Sequence, residues 1–259
     1  MALLDVQNVH RAFGGVVAVN RASFQVEPGK IKSIIGPNGA GKTTLFNIIS
    51  GVLASESGRI LFKGKNIRGR RPYRIAEAGI SRTFQNPSLF LQMSVLENVM
   101  VGRHARSRCG FASCCLSWPW QRREERAIRE AALAEMAFVG VEAEGHAPAG
   151  SLAFGRRRMI ELARALATEP ELLLLDEPAS GLNTRETDDL GELIRRIRDR
   201  GITVLLVEHD MALVMDISDE ILVLHNGAVL AEGAPAEVQN DPRVISVYLG
   251  EDFQHAAAG

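Results

Sequence analysis

The sequence predicts an α/β fold that has a mixed central sheet, an N-terminal antiparallel β subdomain and an inserted α-helical subdomain. Three observations support this prediction: early segments that alternate apolar and polar residues, later strands that are mainly apolar, and one long amphipathic helical stretch. The chain has 259 residues, of which 46% are hydrophobic and 24% are charged, so it has ample apolar material for a buried core. This length suits one large domain that carries a subdomain.

The N-terminal part of the chain predicts short strands. Residues 3–9 and 22–28 alternate apolar and polar side chains, as half-buried antiparallel strands do. Residues 31–35 predict a short core strand, and residues 58–64 predict a further strand. The alternating segments supply the antiparallel subdomain, and the strand at residue 31 starts the central sheet.

A glycine-rich loop (the phosphate loop, residues 36–43) follows this core strand. It matches the pattern G-x-x-x-x-G-K-[ST] in full and consists of Gly36, Pro37, Asn38, Gly39, Ala40, Gly41, Lys42 and Thr43. Glycines let successive backbone N–H groups turn toward a phosphate, and the helix predicted for residues 42–50 directs its positive dipole end at the same anion. We expect Lys42 to bind the β- and γ-phosphates of ATP, Thr43 to ligate Mg²⁺, and Thr44 to lie in the same nucleotide site. Strand, loop and helix together predict a P-loop NTPase core.

Two adjacent carboxylates follow a second core strand. Residues 172–175 are all leucine, and Asp176 and Glu177 come directly after them. Carboxylates at the end of a buried strand need a binding partner, because the burial of an unpaired charge is costly. Asp176 is predicted to hold Mg²⁺ through its water shell together with Thr43, and Glu177 is predicted to polarise the attacking water.

The middle of the chain predicts the inserted helical subdomain, residues 95–168. Residues 121–139 place Ala, Leu and Met on one helical face and charges on the other, and a second helix is predicted from residue 155 to about residue 167. Residues 103–120 predict a surface loop, with a patch that faces a membrane protein or lipid as the alternative. This segment holds the three cysteines, whose odd number and lack of partner histidines at zinc spacing argue against a disulfide framework or a zinc site.

The C-terminal part predicts a helix at residues 184–200, a buried strand at residues 202–207 and a hairpin at residues 221–231 with its turn at Asn226-Gly227. The predicted domain spans residues 4–250, and residues 251–259 are predicted to be a flexible tail. A formal net charge of −1 predicts no overall attraction to nucleic acid or anionic lipid. We also expect neither a signal peptide nor a membrane-spanning helix, so a role at a membrane would require a partner.

Several further motifs in residues 4–250 resemble those of the ABC ATPase family. Residues 83–87 resemble the family's Q-loop, residues 180–183 resemble the D-loop, and residues 152–155 lie where the family's signature segment belongs. The resemblance implies that Gln85 contacts Mg²⁺, water and the permease, that His209 contacts the γ-phosphate, and that Phe13 stacks on adenine. The implied signature segment consists of Leu152, Ala153, Phe154 and Gly155.

In this family two ATPase domains hold two ATP molecules head to tail, and the signature segment of one domain completes the site of the other. Gly155 and the helix N-terminus after it would then form a second anion site. The chain departs from the family pattern because Ala153 replaces the usual serine and Arg156 the usual glutamine. A hydroxyl bonded to a charged phosphate contributes about 1.5–3 kcal/mol, so we hypothesise that the ATP site built with this segment closes less tightly.

The chain most resembles the LivG type of ATP-binding subunit, which serves branched-chain amino acid importers. Residues 80–86, 95–99, 208–211 and 247–250 carry this resemblance, as does a signature that begins Leu-Ala-Phe-Gly. It implies a second ABC ATPase subunit (in a homo- or heterodimer), membrane permease subunits and, indirectly, a periplasmic binding protein. It also implies a peripheral position on the cytoplasmic face of the inner (cell) membrane. Related subunits serve urea or short amides or export lipopolysaccharide, and these substrates remain alternatives.

Three other classes of protein fit less well. ATPases of DNA repair or chromosome organisation carry long coiled-coil insertions, and translation-factor ATPases carry two ATPase halves with a basic linker; neither feature is present in the sequence. We therefore expect no nucleic-acid partner. A regulatory subunit that does not hydrolyse ATP is disfavoured by intact Lys42, Glu177 and His209, although Ala153 leaves some room for it.

Overall fold

A computed structural model describes residues 1–85, 87–103 and 119–248. These residues form two β-sheets with helices packed against them. The strands are β1 (Leu4–Phe13), β2 (Val16–Val26), β3 (Ile31–Ile35), β4 (Ser57–Phe62), β5 (Lys65–Asn66), β6 (Ile80–Arg82), β7 (Leu172–Asp176), β8 (Thr203–Val207), β9 (Glu220–His225) and β10 (Ala228–Gly233). The helices are α1 (Lys42–Ile49), α2 (Pro72–Ala78), α3 (Val95–Gly102), α4 (Pro119–Val139), α5 (Phe154–Leu166), α6 (Thr184–Asp199), α7 (Met211–Ile217) and α8 (Pro235–Gln239).

The central sheet contains six strands in the order β10-β9-β3-β8-β7-β6. Strands β9, β3, β8, β7 and β6 run parallel, and β10 is antiparallel to β9. All residues of β3, β7 and β8 are buried, because the sheet is covered on both faces, and Ile, Val and Leu therefore dominate these strands. The predicted mixed central sheet is confirmed.

The N-terminal sheet is antiparallel, with the order β2-β1-β4-β5. Strands β1 and β2 are longer than predicted because they continue to a two-residue turn, where Phe13 pairs with Val16. The turn residues Gly14 and Gly15 have φ of 51° and 95°, a region that glycine enters without steric cost. The Gly-Gly pair is thus the hairpin signal, whereas the alternation of side chains indicates only the outer parts of the strands.

The central sheet separates two apolar cores. Because successive side chains of a strand point to opposite faces, Leu173 and Leu175 lie in the core formed with α3–α6, whereas Leu172 and Leu174 lie in the core shared with α1 and the N-terminal sheet. The carboxyl ends of the parallel strands β3, β7 and β8 meet at one edge of the sheet. The phosphate loop, the two carboxylates after the leucine strand and His209 therefore all emerge at this edge.

Helices α3, α4 and α5 pack against one another. Helix α4 buries Ala132, Met136 and Val139, which lie on the face that the sequence pattern indicates. Helices α3 and α5 approach closely at Gly102, where an added Cβ would lie 2.2 Å from the carbonyl oxygen of Arg164. These helices lie within the predicted inserted subdomain, whose limits at residues 95–168 stay a prediction.

The remaining predictions have mixed outcomes. The hairpin of β9 and β10 is confirmed, and its turn has φ of 49° at Asn226 and 77° at Gly227. Helices α2, α3, α7 and α8 and strand β6 were not predicted from periodicity, because such short elements hold too few residues for a pattern.

Two predictions concern residues outside the described part of the chain, namely Cys109, Cys114 and Cys115, and the tail at residues 251–259. In the described part of the chain, no helix combines the length and the apolar composition required to cross a bilayer.

Candidate active site

The phosphate loop connects β3 to α1 and requires glycine at two positions. Gly36 has φ of 148°, and a Cβ there would lie 2.1 Å from the carbonyl oxygen of Leu224. Gly41 has φ of 100°, and a Cβ there would lie 2.2 Å from the carbonyl oxygen of Ala18. Backbone from β2 and β9 therefore presses directly against the loop, and a side chain at either glycine would displace it.

Hydrogen bonds hold the phosphate loop from both sides. Lys42 Nζ donates to the carbonyl oxygens of Gly36 at 2.5 Å and Pro37 at 3.0 Å, so the buried lysine crosses back over the loop. The turn between β9 and β10 supports the loop from outside, because the Gly227 N–H donates to the Ala40 carbonyl at 3.0 Å. The predicted phosphate-binding lysine and its glycine cradle thus form one preorganised unit.

Asp176 ends β7 and is paired with Arg82 from the neighbouring strand β6. Arg82 Nη2 donates to Asp176 Oδ2 at 2.7 Å, and the two side chains are only 7% and 4% exposed. The same guanidinium donates to Asn47 Oδ1 of α1 at 2.7 Å and to Oγ of Ser50, the C-cap of that helix, at 2.8 Å. Arg82 therefore joins the predicted Mg²⁺ carboxylate to the helix of the phosphate loop, a role that we did not predict from the sequence.

Glu177 lies beside Gln85. The Gln85 Nε2 amide donates to Glu177 Oε2 at 2.6 Å. Glu177 has φ of 46°, which is uncommon outside glycine, and its N–H donates to the Val207 carbonyl at 2.8 Å. The structure therefore brings together two predicted catalytic residues that are 92 positions apart in the chain.

His209 lies near this pair without a hydrogen bond to it. Its Nδ1 is 3.9 Å from Glu177 Oε2, and its side chain is 64% exposed. The backbone around it is fixed by the buried Glu208, whose carboxylate accepts from the N–H groups of Ala179 at 2.7 Å and His209 at 3.0 Å. Glu208 thus ties the turn after β8 to the turn after Glu177. The sequence signal for Glu208 is a carboxylate directly after the apolar run at residues 204–207.

Residues 152–155 begin α5 and lie against the turn that precedes α6. Ala153 is the N-cap of α5 and makes no side-chain cap bond. Phe154 packs against Gly181, where a Cβ would lie 3.0 Å from the phenyl ring, and a Cβ at Gly155 would lie 2.9 Å from Glu186 Oε1. Arg156 points to a different place, since its Nε donates to Glu144 Oε1 at 2.9 Å and its Nη2 donates to the Gly140 carbonyl at 2.6 Å.

Phe13 lies beside the hairpin turn between β1 and β2, and it is 44% exposed. The guanidinium carbon of Arg11 lies 4.7 Å from the centre of its ring, which is within cation–π range. The hairpin passes the phosphate loop at Ala18, where the carbonyl oxygen lies against Gly41. Phe13 is thus an exposed aromatic ring of the kind that can stack on adenine, and this role of Phe13 stays a prediction.

Arg158 and Glu161 form a buried ion pair one turn apart on α5, and each side chain is 2% exposed. Burial lowers the pKa of the Arg158 guanidinium, and the nearby carboxylates of Glu161, Glu208 and Asp176 oppose this effect. Burial raises the pKa of Glu161, against the effect of hydrogen bonds from backbone N–H groups and of the arginine charge. We did not predict a role for either residue from the sequence. The available signal was a pair of charges on the apolar face of a helix.

The residues at this sheet edge fit Mg·ATP. Backbone of β9 and β2 packs against the phosphate loop at Gly36 and Gly41, and α1 starts at the end of the loop. Thr43 is exposed in the first turn of α1, and Asp176 ends the strand β7. A hydroxyl and a carboxylate are oxygen ligands of the kind that Mg²⁺ takes alongside water and phosphate.

Two family models and several known proteins match this chain in sequence. A family model described as ABC transporter matches residues 19–180, and one described as branched-chain amino acid ATP-binding cassette transporter matches residues 228–254. The high-affinity branched-chain amino acid transport ATP-binding protein BraF of Pseudomonas aeruginosa is 44% identical over 250 residues, which cover 96% of this chain and 98% of BraF. LivG of Escherichia coli K12 is 43% identical with the same coverage. A probable LivG of Archaeoglobus fulgidus is 36% identical over the whole of both chains.

Solved structures show the same fold. A crystal structure described as the ADP conformation of an ATP-binding cassette of an ABC transporter has a TM-score of 0.84 and 33% identity, and the match covers 96% of this chain and 99% of that one. A nucleotide-free cassette from an ABC transporter has a TM-score of 0.83 and 32% identity with the same coverage. The fold extends over almost the whole chain in both comparisons.

Proposed function

The chain belongs to the ABC transporter family as an ATP-binding and ATP-hydrolysing subunit, and we propose on this basis that it powers an importer of branched-chain amino acids. One observation carries the hydrolytic part of the proposal: the phosphate loop, Asp176 and the Gln85–Glu177 pair emerge at one edge of a parallel sheet. The substrate class is supported by relatives described as branched-chain amino acid transport proteins, together with the match at residues 228–254.

Some residues of the chain bind ATP, and others activate the attacking water. Loop N–H groups and Lys42 bind the triphosphate, and the ring of Phe13 stacks on adenine. Thr43 and Asp176 would hold Mg²⁺, which neutralises charge on the phosphates when it is bound. Glu177 orients the attacking water, and Gln85 and His209 contact that water and the γ-phosphate. Fixed donors at these positions lower the barrier because they are oriented before the reaction begins.

The signature segment belongs, in this proposal, to the site of a second ATPase subunit. Its Gly155 end is the half-buried start of a helix, and it would bind the γ-phosphate held by the partner's phosphate loop. ATP then favours the closed dimer because it contacts both subunits, and hydrolysis removes that preference. The closed and open dimers would drive permease subunits, which would place the chain peripherally on the cytoplasmic face of the cell membrane.

Substitution of Glu177 tests the hydrolytic mechanism. Glu177→Gln keeps the shape and the hydrogen bond to Gln85 but removes the carboxylate that orients water, so we expect kcat for ATP to fall about 10²–10⁴-fold while ATP binding persists. The measurement is phosphate release together with binding of a fluorescent ATP analogue. Glu171→Gln is the matched control, since Glu171 forms an exposed ion pair with Lys63 at the start of the same strand. Undiminished turnover in Glu177→Gln would remove Glu177 from the reaction.

Transport assays test the substrate class. The chain is purified from membranes with its permease partners, and uptake of leucine, isoleucine and valine is measured in vesicles that contain the complex. Leucine uptake that depends on ATP and is lost with Glu177→Gln supports the proposal. Uptake of urea or short amides, or extraction of lipopolysaccharide, with no amino-acid uptake would contradict it.

A further inference from the structure

We propose that Arg158 is a positioning residue for ATP hydrolysis, which sets the distance between Gln85 and Glu177 from its place on α5. This inference rests on the catalytic roles of those two residues under the proposed function. Arg158 lies on the helix that begins with the signature segment. Its guanidinium nevertheless reaches the loops that carry Gln85 and Glu177, which lie outside the predicted helical subdomain.

The guanidinium of Arg158 binds three backbone carbonyls. Nη1 donates to the Phe84 oxygen at 2.7 Å, and Nη2 donates to the Gln85 oxygen at 2.7 Å and to the Glu177 oxygen at 3.4 Å. One nitrogen thus bridges the main chain of Gln85 and the main chain of Glu177. The planar fork of an arginine suits this task because its donors diverge in fixed directions.

Arg158, Gln85 and Glu177 form a closed ring of hydrogen bonds. The side-chain amide of Gln85 donates to the Glu177 carboxylate at 2.6 Å, while the backbone oxygens of the same two residues both accept from Arg158. Each catalytic residue is therefore held at two points, by its main chain and by its side chain. A shift of the guanidinium would change the separation of the amide and the carboxylate without touching the phosphate loop.

Glu161 fixes the arginine and the same peptide from the other side. Its Oε1 accepts from the Phe84 N–H at 3.2 Å, and its Oε2 lies 3.5 Å from Arg158 Nη1. The N–H and the C=O of Phe84 are therefore both bound by α5, through Glu161 and Arg158 respectively. Because both side chains are almost completely buried, solvent offers no substitute for these bonds.

The position of Arg158 on α5 would also let it transmit a movement of that helix. Residues 152–155, at the start of α5, would contact the partner's ATP, and Arg158 lies one turn further along the same rigid helix. A movement of α5 on dimer closure is then passed to Gln85 and Glu177 through the guanidinium. Arg158 would thereby connect closure of the partner's site to geometry in its own site.

The test compares steady-state ATP hydrolysis by purified full-length variants. Arg158→Lys keeps the charge but not the divergent donors, so we expect kcat to fall about 10- to 100-fold, the loss typical of a misplaced catalytic group, with KM for ATP within about threefold of wild type. Arg103→Lys is the matched control, because Arg103 donates to the Ala167 carbonyl at the other end of α5, and it should leave kcat unchanged. Should Arg158→Lys fold poorly, Arg158→Met combined with Glu161→Gln removes both buried charges together and should show the same loss of kcat.

A double-mutant cycle separates positioning from mere support of the fold. In a Gln85→Ala background, we expect Arg158→Lys to lower kcat less than about threefold, because the side-chain amide that Arg158 positions is already absent, although the backbone carbonyls that it binds remain. The inference is overturned if Arg158→Lys leaves kcat intact, or if it lowers kcat by the same factor with and without Gln85. A wild-type chain that releases no phosphate from ATP would contradict the proposed function, and the inference would fall with it.

Discussion

Arg82 is the buried arginine that pairs with the Asp176 carboxylate. It meets Asp176 at 2.7 Å with both side chains nearly inaccessible to water. In Arg82→Met the Asp176 carboxylate would be left buried without its partner, so we expect the free energy of unfolding to fall by about 3–5 kcal/mol. Urea unfolding followed by circular dichroism measures this loss.

The control for Arg82 is an arginine in an exposed pair. Arg74 meets Glu77 at 2.8 Å with both side chains largely in solvent, and Arg74→Met should leave the unfolding midpoint unchanged. Adding Asp176→Asn to Arg82→Met removes the unpaired charge and should recover most of the stability. A loss in Arg82→Met no larger than in Arg74→Met would show that the buried pair is not a source of stability.

A capping box stabilises the first turn of helix α3. Ser94 Oγ accepts from the Glu97 N–H, and the Glu97 carboxylate accepts from the Ser94 N–H at 2.8 Å. Bonds from the Ser94 hydroxyl and then from the Ser94 backbone N–H lower the pKa of Glu97 from its ordinary 4.5. A carboxylate with a lowered folded pKa stabilises the fold above its unfolded pKa, and this contribution is lost as pH falls through the folded pKa.

The capping box therefore predicts a pH-dependent effect of Ser94→Ala. The variant should lower the thermal unfolding midpoint at neutral pH. The difference from wild type should shrink as the pH falls from the ordinary glutamate pKa of 4.5 through the lower pKa of Glu97 in the folded chain. Thermal unfolding at a series of pH values between neutral and acid measures it. A difference that stays constant down to the acid limit would show that Glu97 takes no part in the cap.

The N-terminus of α5 carries the unusual Ala153, which makes no side-chain cap bond. Ala153→Ser would offer a hydroxyl to the helix end and, in the proposed dimer, to the partner's γ-phosphate. We expect the variant, combined with Glu177→Gln, to form the ATP-dependent dimer at lower protein concentration, by a factor of about 10 for a bond of about 1.5 kcal/mol. Light scattering in Mg·ATP and in ADP measures dimer formation. An unchanged concentration dependence would count against the idea that this signature segment closes its site weakly.

At the scale of the whole molecule, much of the fold follows from local signals. The phosphate loop pattern predicts a strand before it and a helix after it, and β3 and α1 lie there. Apolar runs at residues 172–175 and 204–207 predict β7 and β8, since strands covered on both faces are mainly apolar. Asn226-Gly227 predicts a hairpin because its residues accept positive φ. Each of these signals depends on neighbours in the chain, so one sequence is sufficient to find it.

The sequence by itself determined the mixed α/β fold, the nucleotide loop and the candidate residues at the carboxyl ends of the strands. Only the tertiary structure decided how these residues meet: the Gln85 amide on the Glu177 carboxylate, Arg82 on Asp176, and Arg158 across two catalytic loops. The physical reason is separation along the chain. Arg158 lies 73 residues from Gln85, and no local pattern encodes a contact that arises only when a buried charge must find its partner inside a packed core.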